Sequence, residues 1–289
     1  MNKKQKRLRL CIWLTVTAIL LVCAILAGTE DRHETVKELM QDAVLHERNQ
    51  ISLFGLMEVN PGLVAAFVVT GILLVFGLIV RIFVIPRFKT VPGKFQMLLE
   101  TAVDFFAGFG RQNSPHRNKF LGAYLFGAGV YLFVGTLFEL LGIQVVATSG
   151  HALALPAPLS DINGAIAMGF TSYLVILSGG IASNGVKGIG KTLKEFSLPL
   201  SMSFRLFGAL LSGLLVTELV YYYVSLSFVL PVVVAVLFTL LHALIQTYVL
   251  IMLTSMFYGE VSEKHEKKPK QKKNKQENKE SLSEDMNHA

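Results

Sequence analysis

The sequence predicts an all-α fold, a polytopic bundle of membrane helices, on three observations. Hydrophobic residues make up 52% of the 289-residue chain and charged ones only 16%, too few to cover a soluble domain of this size. The charges fall in short blocks, and most of the apolar runs between them reach or exceed the roughly 20 residues a helix needs to cross a bilayer. Within those runs the apolar residues do not alternate as barrel strands do, and only helices or closed barrels satisfy every backbone polar group in hydrocarbon.

Six spans follow in order: Leu10–Gly28, Pro61–Ile85, Phe120–Ile143, Ile162–Gly180, Ser197–Val224 and Ser227–Tyr258. The first stands behind Lys3, Lys4, Lys6, Arg7 and Arg9 and reads as a retained span or as a cleaved signal segment, since Ala24, Ala27 and Gly28 permit cleavage. Cys11 and Cys23 lie in that span, about 18 Å apart along a helix, too far to pair. Residues 29–60 form an acidic external segment, in which Val36, Leu39, Met40, Ala43 and Val44 mark one face of a surface helix. Residues 61–258 make a five-span core whose last two helices are long enough to require tilt or kinking, with Pro199 and Pro231 as breaks. Residues 259–289 are a lysine-rich tail with almost no apolar residues, expected to be disordered and cytoplasmic. Its lysines suit a topology anchor or contact with anionic lipid.

Lysine and arginine set the orientation. With the N-terminal block inside, Arg81–Lys119, Lys187, Lys191, Lys194 and the tail from Lys264 fall on the same side. Only Arg32, Lys37 and Arg48 fall on the other, and Arg205 lies within a span. This is the positive-inside pattern, and it places both termini in the cytoplasm if the first span is retained.

The stretch "GVKGIGKT", residues 185–192, matches the phosphate-loop pattern. That chemistry needs a preceding strand and a βαβ unit, whereas this stretch joins two membrane spans. Its glycines read as turn backbone and its lysines as topology charges, so no nucleotide site is expected. No metal-ligand cluster, nucleophile–base set or cofactor motif stands out, and nothing points to nucleic acid.

Between Glu195 and Glu260 the only formal charges are Arg205 and Glu218. Charges at membrane depth are costly and mark ion or substrate pathways facing a protein interior or a water-filled cavity. Arg205 is about 12 Å into its span, too deep to snorkel easily. Glu218 is about 20 Å further along and roughly 220° around the helix, so the two cannot pair. On the last span His242 and Gln246 share a face, and a histidine there either relays protons or is simply hydrogen-bonded. Gly208, Ala209, Ser212 and Gly213, all small, predict close helix contact beside Arg205.

Four motifs carry a family resemblance. "SLPLSMSFRLFGALLSG" resembles the signature of subunit a of F-type ATP synthases, with Arg205 at the position of the stator arginine. "LIQTYVLIMLTSMFY" resembles the glutamine-bearing segment, with Gln246 at the glutamine. "PAPLSDINGAIAMG" resembles the stretch that opens an earlier span, matching at Asp161 and Asn163. "VPGKFQMLLETAVDFF" is similar to the cytoplasmic helix after the first family span. The resemblance covers about residues 60–258, and it is the joint occurrence that makes it specific.

There are departures. Ala209 stands where the family has asparagine, and the usual acid position falls on Leu214, one turn before Glu218. His242 is four residues before Gln246, whereas the family's ionisable partner would fall on Thr239. Glu139 replaces a common asparagine. The resemblance implies a divergent branch with a rebuilt outer half-channel, and the N-terminal span is extra to the five-helix core.

The resemblance further implies a bacterial membrane subunit that forms ion half-channels against a c-ring. A peripheral stalk of b subunits would hold it, and a soluble catalytic head elsewhere would make ATP. Arg205 would be the stator cation, with Gln246 beside it. Glu218, His242, Glu139, Asp161 and Asn163 would serve the ion path, for protons or sodium. The alternative is a stand-alone secondary transporter that binds an anion at Arg205. That class is expected to show inverted repeats, and none is convincing here.

Overall fold

The computed structural model describes residues 11–19, 22–23, 37, 51–53, 57–115, 118–146, 148, 152–222 and 233–263. Residues 11–19, 22 and 23 are helical, in keeping with the first apolar run. The remainder of that run and the tail from Lys264 lie outside the described residues.

Among the described residues the core is built from seven helices, five of them long and apolar enough to cross a membrane. Helix α1, Pro61–Ile79, starts on Pro61, whose missing N–H costs nothing at a helix start, and the Asn60 side chain caps it by accepting from Gly62 N at 2.8 Å. It continues through a π turn, Val80–Val84, and a 3-10 turn, Ile85–Arg87. Helix α2, Lys94–Asn113, is amphipathic and does not span. Helix α3, Asn118–Phe138, ends in the 3-10 turn Glu139–Leu141 and at Gly142, whose φ of 58° suits a residue without Cβ. Helix α4, Ile162–Asn184, is capped by Asp161. The short α5, Val186–Lys194, and the long α6, Ser197–Tyr222, follow. Helix α7, Leu240–Ser262, is entered through a π-helix, Ala235–Thr239.

Helices α4 and α7 are the hub. α4 packs on α6, α7 and α5, α7 also packs on α3 and α2, and α1 leans on α3. Leu121, Leu125, Leu132, Ile176 and Ile251 fill the middle. In lipid such packing stabilises through close contact, because hydrocarbon lies on both sides of the balance. Gly179 has no room for a Cβ beside the Tyr258 ring, and Gly259 has none beside the Asn113 carbonyl.

The two ends of the bundle are held differently. At the end rich in lysine and arginine, a polar clasp ties α2 and α4 to the end of α7. Asn113 Nδ2 donates to Ser255 Oγ at 2.8 Å, and the Ser114 and Ser262 hydroxyls meet at 3.3 Å. Asn184 Nδ2 donates to the carbonyls of Val261 and Glu263 at 2.9 and 3.0 Å. At the opposite end lie two short antiparallel ribbons. Strands β1, Ile51–Leu53, and β2, Met57–Val59, form one, and β3, Gln144–Val146, and β4, Ala152–Ala154, the other. Ile51, Val59 and Leu155 are buried there with Ala65, Val69 and Phe138.

Several elements differ from the sequence expectation. Part of the external segment is the β1–β2 ribbon, because Ile51 and Val59, both β-branched, pair across it and are buried together. The expected helical face Val36–Val44 lies outside the described residues, apart from Lys37, which is helical. The glycine stretch 185–192 is a helix rather than a turn, and only Gly185, with φ of 58°, has turn backbone. Pro199 sits in the first turn of α6 and does not break it. The irregularity before α7 is the π-helix, and Pro231 lies outside the described residues.

Candidate functional site

Arg205 is oriented by the packing of α6. Met202, Ser203, Leu206 and Leu210 form its buried face. Contact with α4 is closest at Gly169, where a Cβ would collide with Ser203 Oγ and lie 2.9 Å from the Pro199 carbonyl oxygen. Arg205 follows Ser203 by two residues, about 200° around the helix, so its side chain leaves the bundle. Arg205 is exposed, on a stripe with Ser201, Phe204, Gly208 and Ser212. Among the described residues it makes no hydrogen bond or ion pair.

The small residues beside it differ from expectation. A Cβ on Gly208 would meet nothing within 4 Å, and one on Gly213 would meet only His242 Nδ1, at 4.0 Å. Gly208 and Ser212 therefore line the open face of α6, and the close contact is supplied by Gly169 across on α4.

His242 lies opposite Gly213, towards the ribbon end from Arg205. Its Nδ1 is 2.8 Å from the Phe238 carbonyl oxygen. A carbonyl can only accept, so Nδ1 is the donor in this contact. The Phe238 ring is 5.8 Å from the imidazole. One turn further along α7, Gln246 is buried at 6% exposure, and its Oε1 has no partner among the described residues. With α6 and α7 antiparallel, Arg205 is about 12 Å from the Gly213–His242 level and Gln246 about 6 Å.

The remaining polar residues divide into two groups. The Glu139–Leu141 turn packs against the π-helix that precedes His242, which brings Glu139 to the ribbon-side end of α3, near the start of α7. Asp161 instead caps α4, accepting from Asn163 N at 3.4 Å, and its Cβ lies 2.8 Å from the position of a Cβ on Gly62. Asn163 is exposed beside it. The Glu218 side chain lies outside those described, and its backbone is in α6 near the ribbon end. These four positions and His242 are on the ribbon side of Arg205. A family model described as ATP synthase A chain matches residues 63–259.

The chain belongs to that family. It is a subunit a, a multi-pass membrane component of the channel and stator part of an ATP synthase, and works in that complex beside its c-ring. For this subunit a, sequence reasoning missed the Gly213–His242 apposition and the π-helix that leads into it. A glycine inside a span was the available signal for the first. Nothing in the composition of "AVLFT" marks the second.

Proposed function

We propose that this subunit a carries protons between two half-channels in a bacterial cytoplasmic membrane, coupling their flow to ATP synthesis or hydrolysis. Arg205 is the fixed cation against which the c-ring carboxylates discharge. One observation carries the reading: a guanidinium stands on an open helix face with no partner among the described residues. A charge at membrane depth costs roughly 2.5–3.5 kcal/mol on insertion scales, so that face calls for a partner bearing negative charge. The c-ring supplies it.

Protons enter from the ribbon end. Glu218, His242 and Glu139 line the way in, with Asp161 and Asn163 beside its entrance. A ring carboxylate that accepts the proton is neutral and can turn into lipid without the penalty of a bare charge. On reaching Arg205 it is favoured in its ionised form and releases the proton towards the basic end. Arg205 itself stays protonated and blocks a direct leak. Gln246 Oε1, buried and unpartnered among the described residues, accepts from the guanidinium once the ring is seated. The basic end faces the cytoplasm by the positive-inside pattern, with both termini there if the first span is retained. Peripheral-stalk b subunits hold the stator, and the soluble head makes the ATP.

ATP-driven ion uptake by inverted vesicles carrying the whole complex tests this. Arg205→Ala should abolish uptake while the complex stays assembled, and removing sodium should change nothing in the wild type. Unimpaired uptake in the variant would make Arg205 a structural cation. A sodium requirement would replace the proton.

A further inference from the structure

Helix α5 folds back along α4 instead of running beneath it. The Tyr173 hydroxyl donates to the Thr192 carbonyl at 3.1 Å, and Tyr173 lies roughly 16 Å of helix before the end of α4 at Asn184. Gly188 has no room for a Cβ against the Gly180 carbonyl, and Gly180 has none against the Thr192 hydroxyl. Helix α5 thus sits at the depth of the last turns of a spanning helix, where headgroups meet acyl chains.

Its surface has three sectors. Gly188 and Thr192 are buried on α4. Val186, Ile189 and Leu193 are exposed, Val186 at 84%. Lys187, Lys191 and Lys194 share the third sector, at the spacing of one helix face. Beside the lysines a cavity of about 850 Å³ opens between α5, the start of α6 and the end of α7, with Leu198, Phe257 and Val261 among its apolar walls. Glu195 and Glu260 also line it. Lys191 Nζ donates to the Glu260 carbonyl oxygen. Lys187 and Lys194 have no partner among the described residues. Three ammonium groups against two carboxylates leave the cavity net positive.

From this we infer that α5 and the adjoining cavity bind an acidic phospholipid. Its phosphate sits on Lys187 and Lys194, and its acyl chains lie along Val186, Ile189 and Leu193. A helix with an apolar face and a lysine face at this depth is the arrangement that retains anionic lipid. A free phosphate would use the lysines and leave the apolar face unexplained. Of the stretch that spells a phosphate loop, Lys187 thus serves a phosphate, together with Lys194 just beyond it, through side chains instead of a glycine-rich loop. The inference is independent of the reading of Arg205.

The test uses the purified, assembled complex and two photoactivatable lipids of identical acyl chains, a phosphatidylglycerol and a phosphatidylcholine. Labelling of residues 186–194 by the acidic lipid should exceed that by the neutral one at least about five-fold. Lys187→Gln with Lys194→Gln should lower it by about five-fold per lysine, and arginine at both positions should restore it. Equal labelling by the two lipids in the wild type would overturn the proposal, whether or not the variants assemble. So would glutamine variants that label normally. Loss of labelling in millimolar inorganic phosphate would identify a free-anion site and overturn the lipid assignment.

Discussion

Arg205 and Gln246 can be separated experimentally because one is exposed and the other buried. Arg205→Lys keeps the charge but loses the planar fork and the resistance to deprotonation. ATP-driven pumping should fall at least about ten-fold, a transition-state cost of about 1.4 kcal/mol, with the c-ring still co-purifying. Gln246→Leu removes a buried oxygen that has no partner among the described residues. Thermal stability of the complex should therefore hold within about 1 kcal/mol while pumping falls, and a clear loss of stability would mean that the oxygen is satisfied structurally. Both residues were legible in the sequence, because an ionisable or amide group inside an apolar run stands out. Their rotation about the helix was not. Gly208 and Ser212 were read as contact residues and line open space, because a small side chain means either that something is close or that nothing needs to be there. Only the position of α4 decides between the two.

The same ambiguity yields a contrast between elements. Gly259 faces the Asn113 carbonyl, a backbone atom that cannot swing away, whereas Gly208 faces nothing within 4 Å. Gly259→Ala should cost about 1–3 kcal/mol and lower the melting temperature of the purified complex. Gly208→Ala should leave that temperature unchanged or slightly raised, since alanine favours helix by about 1 kcal/mol, yet impair coupled pumping because its methyl points at the ring. The five spanning helices were legible from hydropathy alone. The irregular pieces were not: a three-residue strand is too short for any periodicity, and a π-helix differs from an α-helix by one hydrogen-bond register. Helix α5 escaped notice because its glycines read as turn residues, while Gly188 serves contact with α4.

For the whole molecule, charge distribution predicted which ends of the helices lie together, and the polar clasp and the two ribbons sort by that division. Cysteines placed at Val91 and Val146, both well exposed, in a chain whose Cys11 and Cys23 are replaced by serine, should label from opposite faces. A membrane-impermeant maleimide should reach Val91→Cys only in inverted vesicles and Val146→Cys only in right-side-out ones. Labelling of both from one face would undo the proposed orientation. Much of the ion path was not legible, because its geometry depends on helix rotation and on a face that another chain covers.

The difference between the two ends has a consequence for temperature. The basic end is held by the hydrogen bonds of Asn113 to Ser255, Ser114 to Ser262 and Asn184 to the Val261 and Glu263 carbonyls, which do not depend on burying apolar surface from water. The ribbon end is held by Ile51, Val59, Leu155 and Phe138, a cluster whose outer layer borders water and whose cohesion weakens on cooling. A chilled membrane should therefore loosen this chain from the ribbon side first. The entrance to the ion path, and not the clasp around its exit, would set the lowest temperature at which the motor runs coupled.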